Sequence, residues 1–312
     1  MRIVVTGSSS HLCKALLPVL LEHPQVEAVT GIDIKPTKIQ HLKFTYVNCD
    51  IRDRKIKEII AGHDALIHTA FVVLRSNLGR QRKNRKLCRE INVNGSINVF
   101  NAAIKNKLKA IIHVSSASVY GALPGNEEAI TEDQPRRVMH GFSYAEDKNA
   151  IEDWLESMEN ETKTRLVRLR PHVVLGPNAQ PFLLKLLQQP FYPHLKEPQP
   201  LIQAIWETDL ADAIIKAVFN ANAEGAYNLA GQPPTSFKAM IKANHRWAFP
   251  VPFLLSKLIQ NIAWIFSSKL EEPGWIDGMQ HSLSLNTHKA EKELNWKATK
   301  SSLHCAIDVL PK

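Results

Sequence analysis

Short apolar, β-branched runs recur along the first half of the chain, at residues 3–6, 28–33, 45–48, 65–68 and 110–115. Within each run nearly every residue is apolar, and inward and outward positions do not alternate. Strands of that kind belong in a parallel sheet covered on both faces. Helical periodicity fills several of the gaps, at 12–22, 54–61 and 91–106. The alternation predicts right-handed crossovers and a doubly wound α/β fold. A helix at 144–158 and a sixth strand at 165–169 are expected next. After Pro171 the pattern changes: prolines crowd 177–200, and the elements become short and mixed. The expected organisation is therefore a doubly wound domain over 1–170 and a smaller substrate-binding cap over 171–312. Some segments of the cap are expected to return to the core. Ligands of such sheets bind beyond the carboxyl ends of the strands.

Composition narrows the class without naming a reaction. A chain of 312 residues that is 44% hydrophobic has ample material for a core. Its four cysteines, Cys13, Cys49, Cys88 and Cys305, show no CxxC spacing, so reduced thiols are expected, with no disulfide frame and no metal site. The N-terminus runs straight into a strand without the apolar stretch of a signal peptide, which predicts a cytoplasmic location.

The formal net charge is +9, unevenly spread. From Arg75 to Arg89 lie Arg80, Arg82, Lys83, Arg85 and Lys86, with no acid before Glu90. This reads as a solvated loop and helix start; capture of an anionic ligand and attraction to an acidic surface are the competing readings. Aromatic residues do not interleave with these charges and no RNA- or DNA-binding pattern is present, so a nucleic-acid partner is not expected. Residues 245–268 are strongly apolar but carry Pro250, Pro252, Lys257, Gln260 and Asn261, which argues against a membrane span. A buried cap helix is the expected form, with an apolar substrate wall or an interfacial helix as alternatives.

Three stretches carry candidate chemistry. The first strand runs into Gly7, where a tight phosphate-binding turn would begin, but Ser10 and Cys13 stand where a glycine-rich fingerprint has its second and third glycines. The start of the following helix, with His11 and Leu12, still offers free N–H groups to a phosphate. Ser10 either crowds that phosphate or donates to it. In the second stretch, Tyr144 and Lys148 are four apart on a helix and share a face, and a lysine ammonium beside a phenol favours the phenolate. Such a phenol serves as an acid/base near neutral pH. In the third, a buried strand ends in Ser115 and Ser116 some thirty residues earlier, placing a hydroxyl where it would bind the reacting oxygen.

These stretches, with Asp33, CDIRD at 49–53, LIHTA at 66–70, INVNGSINVF at 91–100, RLRP at 168–171, ETDLADAI at 207–214 and AYNLAG at 226–231, resemble the extended short-chain dehydrogenase/reductases. These are also called the NAD-dependent epimerase/dehydratase family. The resemblance runs along nearly the whole chain. It implies a Rossmann sheet, with Tyr144 as acid/base, Lys148 lowering its pKa and binding the nicotinamide ribose, and Ser116 orienting the substrate oxygen. It implies a cofactor site of Gly7, Ser10, His11, Leu12, Asp33, Asp50, Ile51, Thr69, Ala70 and Asn92, together with Tyr144 and Lys148. Asp33 would accept from the adenosine ribose, favouring NAD over NADP, although Lys35 is close enough to blunt the preference.

Two departures narrow the reaction. The dehydratases of this family carry an acidic pair directly after the catalytic hydroxyl, where this chain has Ala117 and Ser118. The nucleotide-sugar epimerases carry an asparagine shortly after the sixth strand, where this chain reads Arg170-Pro171-His172-Val173-Val174. The expected function is an NAD(P)-dependent oxidoreductase or epimerase. Its substrate is a small hydroxyl or carbonyl compound, apolar if the 245–268 segment lines the pocket, and a homodimer is the expected assembly if it associates. The alternative is a non-catalytic family member that binds a nucleotide as a sensor or assembly subunit.

Overall fold

A computed structural model describes the chain except residues 75–80, 189–190, 196–198, 267–271 and 311–312. The first half alternates as its apolar pattern requires. Its strands are β1 (Arg2–Thr6), β2 (Ala28–Asp33), β3 (Phe44–Asn48), β4 (Ala65–His68), β5 (Ala110–Val114) and β6 (Arg165–Pro171). Its helices are α1 (His11–Glu22), α2 (Ile56–Ile60), α3 (Gln81–Arg89), α4 (Ser96–Lys105) and α5 (Ser143–Ser157). The second half holds α6 (Pro181–Gln188), α7 (Glu207–Phe219), α8 (Phe237–Ala243), α9 (Phe253–Phe266) and the single turn α10 (Gly274–Asp277). It also forms small two-stranded pairs. β7 (Val173–Leu175) lies beside β10 (Ala204–Trp206), β8 (Phe191–Leu195) beside β13 (Trp247–Val251), and β9 (Leu201–Ile202) antiparallel to β12 (Thr235–Ser236).

The main sheet has seven parallel strands in the order β11-β6-β5-β4-β1-β2-β3, where β11 is Gly225–Leu229. β1 lies at its centre, Ile3 facing Val29 on one side and Ala65 on the other. Successive side chains of each strand serve opposite layers. Ile3, Val5, Ile67, Ile112 and Val167 pack with Leu16, Leu17 and Leu20 of α1 and Leu210 and Ile214 of α7. Val4, Leu66, Ile111 and Leu166 pack with Val99 and Phe100 of α4 and Ile151 and Leu155 of α5. Both faces are thus covered, which is why the strands carry so few polar residues. β11 belongs to this sheet and α7 packs on it although both follow Pro171.

Three local features depart from the pattern read in the sequence. Residues 81–89, expected to be loop and helix start, form α3. It runs into a π-helical turn, Glu90–Gly95, before α4 begins. The apolar 245–268 segment does not form a buried cap helix. On α9, Leu254 is 79% exposed, and Leu255, Leu258, Ile259 and Ile262 are exposed beside it. The residues turned toward the protein are Phe253, Ser256, Lys257 and Gln260, all half-buried. Among the described residues no helix is long and apolar enough to cross a membrane.

Candidate active site

The features singled out in the first half converge on the carboxyl ends of β1, β2, β4 and β5. β1 turns at Gly7, whose φ of +74° only glycine adopts easily. The same residue permits close packing: a Cβ there would lie 2.6 Å from the Ala70 amide nitrogen. Ser10 caps α1, its Oγ accepting from Cys13 N at 3.3 Å and lying 3.3 Å from Thr69 Oγ1. Its hydroxyl is therefore held inward by helix and strand end. Thr69 Oγ1 donates to Thr6 O at 2.8 Å, tying β4 to β1. Cys13 is fully buried in the core beneath, and burial pushes its thiol pKa up. His11 and Leu12 open α1, the first exposed and the second half-buried. The tight turn, the helix start and the close strand end fit a pyrophosphate despite the lost glycines.

Asp33, at the end of β2, accepts from Ser9 N at 3.0 Å and Lys35 N at 2.9 Å, which fixes its carboxylate over the loop. Asp50 takes a bidentate grip from Arg52, 2.6 Å at the shorter contact, and that pairing holds its carboxyl below the usual range. Ile51 is buried, and its carbonyl accepts from Asn98 at 2.8 Å. Asn92 sits in the π-helical turn and is buried. Its amide bonds Val72 in both directions, at 2.8 and 2.9 Å, and donates to Asp147 at 3.0 Å. That double grip holds the strand-end segment at 70–74.

Ser116 caps the short 3-10 turn Ala117–Tyr120, its Oγ accepting from Ser118 N at 3.1 Å, and its hydroxyl is near enough to Tyr144 to favour the phenolate. Its neighbour Ser115 is turned away: it is buried and donates to the carboxylate of Glu152. Burial raises the Tyr144 pKa, and the Ser116 hydrogen bond pulls it back only in part. Lys148, one turn along α5, is 4% exposed. Its Nζ donates to Val114 O at 2.7 Å, at the open carboxyl end of β5, and lies 4.2 Å from the centre of the Phe71 ring. Burial pushes its pKa down to about 7, against the attraction of Glu152 and Asp147. In this structure the contacts of the lysine ammonium are with Val114 O and the Phe71 ring.

Several residues of the site escaped the sequence reading. Phe71, Trp275 and Phe142 surround Tyr144, with ring centres 5.1, 5.3 and 5.8 Å away. α5 has no cap from its own preceding residue. The buried Glu272 supplies one, its Oε1 accepting from Ser143 Oγ at 2.7 Å and Tyr144 N at 3.1 Å. Asp147, 1% exposed beside Lys148, is paired with Arg85 at 2.9 Å and Arg89 at 3.3 Å. Part of the basic run therefore serves α5; Arg75 and Arg80 lie outside the described residues. Behind the helix, Arg170 grips the fully buried Glu152 and donates to Tyr120 Oη at 2.7 Å. His172 is a structural pin, Nε2 on Leu283 O and Nδ1 accepting from Val173 N, both at 2.9 Å. A half-buried phenol with a serine hydroxyl nearby, inside an aromatic wall, is equipped to hold a substrate oxygen and exchange a proton with it.

Comparison with known proteins agrees with this geometry. The family model for the NAD dependent epimerase/dehydratase family matches residues 3–230. An uncharacterized protein of Mycobacterium tuberculosis is 24% identical over 258 residues, covering 80% of this chain and 67% of that one. The decarboxylating sterol-4-alpha-carboxylate 3-dehydrogenase of Candida albicans is 24% identical over 188 residues, covering 56% of this chain and 51% of its own. Among solved structures, MoeE5 in complex with UDP-glucuronic acid and NAD superposes with a TM-score of 0.76 at 16% identity, covering 99% and 98% of the two chains.

Proposed function

The chain belongs to the NAD dependent epimerase/dehydratase family, and from that premise we propose that it is an NAD-dependent oxidoreductase working on a hydroxyl or carbonyl group of an apolar small molecule. The observation that carries the reading is the Tyr144 phenol set within the aromatic wall of Phe71, Phe142 and Trp275, with the Ser116 hydroxyl near enough to favour its phenolate. Bound NAD supplies a hydride acceptor, and its reduced form a donor. Gly7, Ser10, His11, Leu12, Asp33, Asp50, Ile51, Thr69, Ala70 and Asn92 frame the cleft for it, and Asp33 disfavours a 2′-phosphate. Ser116 holds the substrate oxygen. Tyr144 takes the hydroxyl proton as the attached carbon gives up a hydride, and returns it in the reductive direction. Lys148 offers an ammonium at the same end of the cleft.

Elimination of water is not part of the proposal, because Ala117 and Ser118 offer no acid and base after Ser116. Phe71, Phe142 and Trp275 suit a ring-built apolar alcohol, the class to which the sterol named in the Candida relative belongs. The test is a panel of hydroxysteroids and other secondary alcohols with NAD, followed by the absorbance of reduced nicotinamide. Turnover that vanishes in Tyr144→Phe supports the reading, and unchanged turnover in that variant defeats it.

One observation favours a second reading. Lys148 is engaged by Val114 and Phe71, and the Tyr144 pKa is raised. A nucleotide-binding protein without catalysis would need no more, and it would bind NAD yet turn over none of the panel.

A further inference from the structure

We propose that α9 and β13 form a surface that seats this protein on an anionic lipid bilayer, with α9 lying in the plane of the interface. The helix is amphipathic in the inverted sense. Its outward arc is Leu254, Leu255, Leu258, Ile259 and Ile262, between 47% and 79% exposed. Its half-buried side carries Ser256, Lys257 and Gln260 together with Phe253 and Trp264. Water faces the leucines while polar groups share the side toward the protein, unlike an ordinary surface helix. On the adjoining β13, Trp247 is 75% and Phe249 46% exposed. A contiguous apolar face of this extent marks an interaction site. An aromatic pair at the rim of a leucine face suits the boundary between headgroups and acyl chains.

Charge selects the partner. Between Glu224 and Glu271 there is not one aspartate or glutamate, while Lys238, Lys242, Arg246, Lys257 and Lys269 fall in that stretch. The nearest described carboxylate on α10, Asp277, is tied to Lys257 at 2.8 Å, and Glu272 is buried under α5. A basic stretch free of acids beside an apolar face, with Lys242 exposed and Arg246 directly before Trp247, matches anionic headgroups over acyl chains. The surface also connects with the candidate active site. The Lys257–Asp277 pair joins α9 to α10, whose Trp275 ring lies 5.3 Å from that of Tyr144. That the same bilayer delivers an apolar substrate rests on the function proposed above; the seating itself does not.

The experiment is co-flotation of the full chain with vesicles of phosphatidylcholine alone and of phosphatidylcholine mixed with phosphatidylglycerol, at low and high salt. The comparison protein is L254Q/L258Q/I262Q. These exposed positions leave the core intact, which thermal unfolding and NAD titration verify. The expected result is flotation with the anionic vesicles that weakens at high salt and falls by roughly tenfold or more in the triple variant. Quenching of tryptophan emission by brominated lipid, lost in Trp247→Phe, would place β13 at the bilayer. Three results overturn the proposal: no flotation with anionic vesicles, equal flotation with neutral ones, or a dimer in solution that the triple variant dissociates while no vesicle binding is seen. The last would assign the face to a second copy of the chain.

Discussion

The ammonium of Lys148 lies 4.2 Å from the centre of the Phe71 ring, which in turn stands edge-on to Tyr144 at 5.1 Å. The ring thus contacts both members of the YxxxK pair. A ligand that takes the ammonium competes with this cation–π contact, worth about 0.5–2 kcal/mol. Phe71→Ala is expected to tighten NAD binding by about two- to tenfold in titration calorimetry. Unchanged or weaker binding would show that the ring is part of the ligand's own support.

Lys148 also predicts a pH-dependent stability. Burial depresses its folded pKa from 10.5 to about 7, so between those values the unfolded chain binds more protons than the native one. Stability from this group therefore rises as pH rises from 7 toward 10.5, and its penalty is complete below pH 7. Lys148→Met removes the buried charge. Its Tm relative to wild type should be most favourable near pH 6 and lose that advantage by pH 10, measured by calorimetry across the range. A difference flat with pH would mean that the folded lysine holds its proton as tightly as the unfolded chain does, so that burial costs the ammonium nothing.

Tyr144→Phe should abolish turnover and leave NAD affinity within a few-fold, because the phenol oxygen serves proton transfer while the loop at Gly7 and the carboxylate of Asp33 lie on other elements. The two measurements are a rate assay and a titration on the same preparation.

The Ser10 hydroxyl is occupied as the cap of α1. Ser10→Ala should lower stability by about 1 kcal/mol, whereas Ser10→Gly should cost only a few tenths. With the side chain gone, the glycine form lets the main chain approach a phosphate and is expected to bind NAD more tightly than wild type. Weaker binding by Ser10→Gly would make the hydroxyl a phosphate ligand after all.

Asp33, held by two backbone amides, should set a preference for NAD over NADP of at least about tenfold, since a 2′-phosphate would meet a fixed carboxylate. Tighter binding of NADP would assign the choice to Lys35 or the basic run.

The parallel strands were legible because burial on both faces leaves an apolar signature that needs no partner to recognise. Ser116, Tyr144 and Lys148 were legible as residue types at a spacing, but the turn of Lys148 toward Val114 was not. That turn depends on a ring, Phe71, and on an open carbonyl contributed by other strands. The pairing of Asp147 with Arg85 and Arg89 joins residues about sixty apart, and no local pattern encodes it. The π-helical turn at Asn92 follows from the same long-range demand, since its amide must reach Val72 and Asp147 at once. α9 was misread for a different reason. An apolar stripe looks the same in sequence whether it faces a core or the solvent.

The Glu272 cap has a consequence for how the molecule is assembled. The carboxylate that anchors the Tyr144 amide comes from 128 residues later in the chain. During synthesis α5 emerges and can pack on a nearly complete sheet well before that carboxylate exists. The sheet and the tyrosine are therefore finished at different times, and Glu272, just ahead of α10, sets the first turn of the helix that carries the phenol. A chain stopped before residue 272 would retain every strand of the main sheet but lack both the anchor of its candidate acid/base and the core side chains Ala290, Leu294 and Trp296.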